Sequence, residues 1–270
     1  MVSRTPNGAA FSGPTAVLQL REIMAQKKFL VTGTTGATGG YAVERLLERG
    51  HAVRALAHRE DDRSKRLQEL GAEVVIGDLL NLNDVRLALR GIRGAYLVYP
   101  LSPTLVQATA IFAQAAKEAE VEIVANMSQW NSRPSAKSPA TINQWLSEQV
   151  FDWSPVPVAH LGATFFCEWL LWVARSVRQG VMMMPWDANS PVAVEDLAQV
   201  IVAILENPVA HSGKTYPLCG PAVHSFAEVA EIDPESLSAA PRISASRARG
   251  HSLCTDLCLG LLPQPSLLGM

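Results

Sequence analysis

The chain has little of what marks several common protein classes. It contains only four cysteines, Cys167, Cys219, Cys254 and Cys258, and none of them forms a Cys-x-x-Cys pair. Neither a disulfide scaffold nor a metal site is therefore predicted. Free thiols are typical of a reducing compartment, and we expect the cytoplasm. A net charge of −2 provides no basic field for direct binding of nucleic acid.

Long hydrophobic runs are also missing. The most apolar stretch, residues 161–174, is shorter than a bilayer requires and contains Glu168. It predicts a buried helix rather than a membrane span. Hydrophobic residues nevertheless make up 48% of the 270, which is enough for a full globular core.

The two ends of the chain differ from its middle. Residues 1–25 are rich in Gly and Pro, lack the apolar core of a signal peptide and include Met24, which resembles a natural start. We expect a disordered extension there, and an irregular tail over 232–270, where periodicity fades. Between them we expect a nucleotide-binding domain over 26–180 and a smaller substrate-side lobe over 181–231.

What the chain does have is an apolar strand that runs directly into regularly spaced glycines. Gly33, Gly36 and Gly39 follow residues 28–32, and an amphipathic helix follows them. Gly33 allows a tight turn, Gly36 lets the main chain approach a pyrophosphate, and Gly39 lets the helix pack closely on the strand. The helix N-terminus offers N–H groups to phosphates. The candidate cofactor residues here are Gly33, Thr35, Gly36, Ala37, Thr38 and Gly39.

Strands and helices then alternate along the chain, which predicts an α/β fold: a doubly wound parallel-sheet Rossmann fold with a small C-terminal substrate-side lobe. We expect strands at 51–57, 73–76, 95–99, 122–127, 156–161 and 214–218, and helices at 83–90, 104–118, 141–151 and 194–205. Ligands of such sheets lie outside the carboxyl ends of the strands. The turns at 33–39, 58–60, 78–79, 100–103 and 128–130 should therefore share one crevice.

Five segments together resemble the NmrA-like branch of the atypical short-chain dehydrogenases/reductases, within the NAD(P)-binding Rossmann superfamily. They are the glycine turn, residues 53–59, Gly77-Asp78-Leu79, residues 126–129 and residues 144–149. The resemblance covers residues 26–230 and implies NAD(P) binding. It also implies one of two functions that members of this family have: reduction of quinones or azo dyes, or redox-sensing regulation.

The resemblance also implies roles for single residues. Asp78 and Leu79 would contact the adenine or ribose, although Asp78 could instead cap the next helix. Pro100 would border the nicotinamide side of the crevice. Gly162-Ala163 stands where such proteins usually carry Arg-Pro, and this departure would loosen a turn beside the substrate pocket.

The charge at the end of the second strand indicates which cofactor is preferred. The strand runs out into His58 and Arg59, and an Arg fork suits the extra phosphate of NADP, with Lys65 able to assist. The acidic residues 60–62 would repel a phosphate if the turn is tight. We expect NADP rather than NAD, with a solvated surface charge as the alternative for Arg59.

The usual catalytic pair of short-chain dehydrogenases is missing. No Tyr-x-x-x-Lys occurs, and the resemblance places the two positions at Ala140 and Gln144. Interconversion of carbonyls and alcohols is disfavoured because it needs a proton donor. Quinones and azo compounds form delocalised anions when they are reduced. Hydride transfer to them therefore needs only correct positioning of the acceptor, with water supplying the protons.

The catalytic residues stay unknown, and the candidate substrate residues are few. Ser128 could hydrogen-bond an acceptor oxygen or merely cap its strand, while Trp130, Trp145 and Phe165 could stack on the acceptor ring or pack in the core. We expect an NADPH-dependent reductase of a small-molecule acceptor. The alternatives are a non-catalytic NADP(H) sensor with a protein partner, and an inactive copy. An open cleft above the nicotinamide would distinguish a reductase from a sensor.

Overall fold

Parallel strands alternate with helices in the computed structural model, which describes residues 28–169 and 188–225. The strands are β1 Lys28–Val31, β2 Ala52–Ala57, β3 Glu73–Ile76, β4 Gly94–Leu97, β5 Ile123–Gln129, β6 Val158–Ala163, β7 Ala188–Asn189, β8 Lys214–Leu218 and β9 His224–Ser225. The helices are α1 Ala37–Glu48, α2 Asp62–Glu69, α3 Leu82–Leu89, α4 Leu105–Glu118, α5 Pro139–Asp152, α6 Val194–Glu206 and α7 Pro208–His211.

Seven of the strands form one parallel sheet in the order β3-β2-β1-β4-β5-β6-β8. The order reverses direction between β1 and β4, and this topological switch point opens a crevice at the carboxyl ends of the strands. The predicted Rossmann fold is therefore confirmed.

The sheet buries a hydrophobic core on each of its faces. One core packs Phe29 and Val31 of β1 against Leu46 of α1 and Ile201 of α6. The other core packs strand residues such as Leu30 against α3, α4 and α5, with Phe112 fully buried at its centre. Each large side chain buried in this way contributes about 1.5–3 kcal/mol of transfer free energy, so the two cores stabilise the edge at which the crevice lies.

Local sequence signals account for where the helices begin. Asp61 caps α2 by accepting from the backbone N–H groups of Arg63 and Ser64, and Ser64 returns a bond to complete a capping box. Asn81 caps α3. Helix α5 starts two residues earlier than predicted because Pro139 is its first residue, a position at which proline loses no hydrogen bond.

Residues 194–218 belong to the layers of the main sheet, although the sequence suggested that they were part of the smaller lobe. Strand β8 pairs with β6, and α6 packs on α1, to which it is joined by the Arg45–Glu195 and Arg49–Glu206 ion pairs. Within the span predicted as the smaller lobe, β7 and β9 form an antiparallel pair separate from the main sheet. The domain boundary at residue 180 stays a prediction.

The expected loosened turn at Gly162-Ala163 is not present, and this expectation is corrected. Both residues are buried in β6, where Gly162 pairs with Ser128 on one side and Pro217 on the other. Pairing with a strand on each side keeps the chain extended at these two residues.

The apolar stretch at 161–174 is likewise not a single helix in its described part. Its first three residues belong to β6, residues 167–169 are helical, and residues 170–174 lie outside the described residues. Within the described ranges, no helix combines the length and apolar character needed to cross a bilayer.

Three charged side chains join the amino ends of β1, β2 and β3. Glu73 accepts from Lys28 at 2.5 Å and from Arg54 at 3.1 Å. Burial alone would raise the pKa of Glu73, but the hydrogen bonds from Lys28 and Arg54 outweigh it and lower the pKa below its ordinary value. A carboxyl whose pKa is depressed by folding stabilises the fold above its unfolded pKa, and this stabilisation is lost as the pH falls through the folded value.

We therefore expect Glu73→Gln to be less stable than the unchanged protein at pH 7 but to lose less stability between about pH 5 and pH 3. Urea denaturation across that range measures the difference. Glu69→Gln, which removes an exposed carboxylate on the neighbouring helix, is the control and should follow the unchanged protein. Parallel pH profiles for the Glu73 variant and the unchanged protein would contradict the assignment.

Candidate functional site

The glycine turn after β1 has a backbone path that only glycine fits. Gly33 has a φ of +58°, and a Cβ atom there would lie 2.4 Å from Cγ1 of Val98. The N–H of Gly36 donates to the carbonyl of Gly33 at 2.9 Å, which closes the turn. The predicted tight turn at Gly33 is thus present, and it brings the chain over the end of β4.

Helix α1 starts from this turn with an open N-terminus. Its cap, Gly36, offers no side-chain acceptor, and its first turn contains no acidic residue. Gly36 and Ala37 are exposed at the edge of the sheet, whereas Thr38 and Gly39 are buried beneath them. Backbone N–H groups at such a terminus favour a bound anion.

Gly39 lies where the helix meets the strand most closely. A Cβ atom there would lie 2.5 Å from the carbonyl oxygen of Gly33 and 2.7 Å from that of Thr32. Gly36 is less crowded, since its nearest neighbour would be the Gly33 oxygen at 3.2 Å. Close packing of helix on strand is therefore the role of Gly39, as the spacing predicts.

Two threonines fasten the turn to the neighbouring strands. The hydroxyl of Thr32 donates to the carbonyl of Val98 at 3.1 Å and accepts from its N–H at 2.9 Å. The hydroxyl of Thr34 donates to the carbonyl of Leu56, at the end of β2, at 3.2 Å. The carboxyl ends of β1, β2 and β4 are thereby held around one crevice.

Two arginines lie at the end of β2. Arg59 is 74% exposed, with its Nε 3.8 Å from the carboxylate of Asp61. Arg63 lies closer to the glycine turn: it donates to the carbonyl of Thr35 at 3.4 Å and pairs with Asp61 at 2.8 Å. Sequence reasoning missed Arg63, although its place in the first turn of the helix after β2 was a usable signal.

One of the acidic residues after Arg59, Asp61, has its negative charge paired with an arginine. Hydrogen bonds from the Arg63 side chain and the Ser64 backbone lower the pKa of Asp61 below its ordinary value. Its carboxylate is already committed to capping α2 and to Arg63. Asp61 therefore holds Arg63 in place beside the turn.

The other predicted cofactor residues lie along the same edge. The Oδ1 atom of Asp78 accepts from the N–H of Leu80, and Asn81 rather than Asp78 caps α3. The alternative that Asp78 caps the next helix is therefore wrong, because its side chain instead accepts a hydrogen bond within a local turn. Leu79 packs at the border of a core, and Pro100 is exposed at the end of β4.

A second feature of this edge is an open cavity of about 540 Å³ at the ends of β5, β6 and β8. Its volume lies within the range of small-molecule pockets. It is lined by Gln129, Trp130, Asn131, Ser132, Glu148, Gly162, Thr215 and Pro217.

Glu148 of α5 is the residue of this cavity that sequence reasoning missed. Its Oε1 accepts from the hydroxyl of Ser128, and its Oε2 accepts from that of Ser132 at 2.6 Å. One turn earlier on the same face, Gln144 donates to the carbonyl of Met127 at 2.8 Å. This Gln144-to-Glu148 spacing of polar residues on a helix beside a strand end was the available signal.

The four predicted substrate residues are only partly brought together. Ser128 is 5% exposed and is bonded to Glu148, and Trp130 is 49% exposed at the cavity. Trp145 is half-buried on α5 and is not among the residues that line the cavity. Phe165 is also not among them: it is 7% exposed and packs edge-on against Trp169 at 5.0 Å. Their roles toward a substrate stay predictions.

Comparison with known proteins bears on the family and on the fold. Residues 25–152 match the model of the NmrA-like family. A putative dihydroflavonol 4-reductase from Synechocystis sp. is 43% identical over 70 residues, which is 26% of this chain and 20% of the relative. The chain thus matches about a fifth of that relative's length.

Two solved structures share the fold. Triphenylmethane reductase from Citrobacter sp., complexed with NADP(H), has a TM-score of 0.65 and 20% identity, covering 74% of this chain and 73% of its own. An NADPH-dependent quinone oxidoreductase from Escherichia coli, complexed with NADPH, has a TM-score of 0.67 and 20% identity, covering 74% and 72%.

The two adjacent glycines of α1 provide a matched test of the turn. We expect Gly39→Ala to lower the free energy of unfolding by about 1–3 kcal/mol, because its methyl group would overlap two carbonyl oxygens. Gly40→Ala, whose Cβ would lie 3.5 Å from its nearest neighbour, should be neutral or stabilising by up to about 1 kcal/mol. Urea denaturation measures both, and equal effects would contradict the packing role of Gly39.

Proposed function

Because residues 25–152 match the model of the NmrA-like family, we propose that the protein binds NADP(H) at the glycine turn and reduces quinone-like or azo acceptors by hydride transfer. The observation that carries the proposal is the turn itself. Its backbone excludes a Cβ atom at Gly33 and at Gly39, and it leads into a helix N-terminus without a side-chain cap. These features fit a dinucleotide.

The residues of the turn would hold the pyrophosphate through their backbone. The backbone N–H of exposed Ala37, at the start of α1, would face its oxygens, with Thr35, Gly36, Thr38 and Gly39 shaping the approach. Asp78 and Leu79, after β3, would border the adenine and ribose, and Pro100, after β4, the nicotinamide. These roles follow from the shared edge of the sheet.

The 2′-phosphate of NADP would lie between the end of β2 and the glycine turn. Arg63 already bridges these two segments through Asp61 and the Thr35 carbonyl, and Arg59 lies exposed beside it. A guanidinium donates several hydrogen bonds to one phosphate, which supports NADP over NAD. Lys65, in the second turn of α2, is exposed and would assist.

When bound, NADPH supplies the hydride, and the chain itself supplies orientation. No proton relay is expected from α5: Ala140 has no acidic proton, and Gln144 is buried with its amide bonded to the Met127 carbonyl. An acceptor whose reduced form is delocalised needs no such relay, because water can supply protons afterwards.

The rival function is a sensor that binds NADP(H) without turnover. The cavity beside Ser128 and Trp130 supports the reductase, because a sensor needs no room for an acceptor. The position of this cavity at the ends of β5 and β6, next in order to β4, is where an acceptor could approach the nicotinamide.

The proposal is tested in one cuvette. NADPH fluorescence should rise when the protein is added and should then decay after a quinone is supplied, with decay proportional to protein. Gly36→Val should show neither, because its side chain would occupy the path of the main chain toward the pyrophosphate. Fluorescence enhancement without decay, across several quinones and azo dyes, would overturn the reductase in favour of the sensor.

Cofactor preference gives a separate prediction. We expect Arg63→Gln to weaken NADPH binding about tenfold, since a hydrogen bond to a charged group contributes about 1.5–3 kcal/mol, while NADH binding stays nearly unchanged. Fluorescence titration with each nucleotide measures this. Arg66→Gln on the same helix is the control, because Arg66 lies near Glu44 rather than near the turn. Equal losses for both nucleotides would contradict a phosphate contact.

A further inference from the structure

The cavity at the ends of β5, β6 and β8 has a charge of one sign. Glu148 is the one ionisable side chain among the described residues that line it. The neighbouring Arg133 is exposed, and its guanidinium donates to the carbonyl of Asn131 at 3.0 Å. The two bonds that Glu148 accepts come from neutral hydroxyls, and within residues 28–169 and 188–225 it forms no ion pair.

An aromatic surface lies beside this carboxylate. Trp130 is 49% exposed, and it lines the same cavity. The face of an indole attracts cations as well as aromatic rings. A ligand that combines a ring with a positive charge would satisfy both groups at once.

Gly162 provides the room for such a ligand. Its strand face turns toward the cavity, beside Ser128, and a Cβ atom there would meet nothing nearer than 3.5 Å. Backbone crowding therefore does not require glycine at this position. Without a side chain at Gly162, the cavity that Glu148 also lines stays open at this position.

We infer that this cavity binds an aromatic acceptor that carries a positive charge, with the ring on Trp130 and the charge at Glu148. The inference rests on the proposed function in one respect, namely that the ligand is the electron acceptor. It narrows that function, because neutral quinones gain nothing from Glu148 and sulfonated azo dyes are repelled by it.

Three azobenzenes that differ only in one para substituent test the inference. Trimethylammonium carries a positive charge, tert-butyl is its neutral isostere, and sulfonate is negative. Without any cofactor, equilibrium dialysis should show the cation binding about tenfold more tightly than the tert-butyl dye, with the sulfonate weakest. Equal binding of the cation and its isostere would overturn the inference, as would failure of all three dyes to bind.

Two pairs of variants locate the effect. Glu148→Gln should remove the preference for the cation, while Glu69→Gln, an exposed carboxylate on α2, should keep it. Gly162→Arg should abolish binding of all three dyes by filling the cavity and pairing with Glu148, and Gly162→Ala should retain it. Thermal unfolding of each variant verifies that it is folded. A cation preference that persists in folded Glu148→Gln would overturn the inference.

Turnover with NADPH separates this inference from the proposed function. Cation-selective binding without consumption of NADPH would support the charge preference of the cavity and overturn the reductase. NADPH consumption at the same kcat/KM for all three dyes, in both the unchanged protein and Glu148→Gln, would support the reductase and overturn the inference. If the protein is a reductase and its cavity prefers cations, the cationic dye should have the highest kcat/KM. Glu148→Gln should then lower kcat/KM for the cationic dye and leave the values for the other two dyes unchanged.

Discussion

The hydroxyl of Thr32 holds the two strands on which the candidate site depends. By donating to the carbonyl of Val98 and accepting from its N–H, it extends the pairing of β1 and β4 past the last ladder bond. This is the point at which the sheet reverses its order. With the strand ends held there, Gly33 must turn over Val98 with a positive φ, and α1 then starts with its N-terminus toward the crevice. The Thr32 bonds therefore fasten the strand ends from which the turn and the positive end of the α1 dipole follow.

The cavity depends on a different set of contacts at the same edge. Its carboxylate is placed by α5, which is fixed to β5 through Gln144 and to α4 through a buried hydroxyl pair, Thr109 and Ser147. The Rossmann sheet therefore carries two chemically distinct environments side by side. In the proposed function, the glycine turn would offer N–H groups and arginines to phosphates, and the cavity would offer a carboxylate and an indole to an aromatic cation. The arginines beside the glycine turn are positive and Glu148 in the cavity is negative. The dinucleotide phosphates would therefore be attracted to the turn, and a positively charged acceptor to the cavity.

The sequence predicted the sheet and the glycine turn because both rest on local patterns: apolar runs, glycine spacing and helix caps. It did not predict Glu148 or Arg63, since each acquires its role from a partner distant in sequence, Ser128 and the Thr35 carbonyl respectively. Phe165 had two interpretations from the sequence, stacking on an acceptor or packing in the core. Its burial and its contact with Trp169 depend on the folded chain, so they could not be predicted from the sequence. The extended form of Gly162-Ala163 likewise depends on β8, more than fifty residues away.

Binding of the NADP(H) pyrophosphate at the glycine turn can be seen in a diffraction structure of the protein crystallised with NADP⁺. We expect pyrophosphate oxygens within hydrogen-bond distance of the backbone N–H groups at the start of α1, and the 2′-phosphate beside Arg63. A nucleotide bound elsewhere on the molecule, or an empty crevice in crystals grown at saturating NADP⁺, would contradict it.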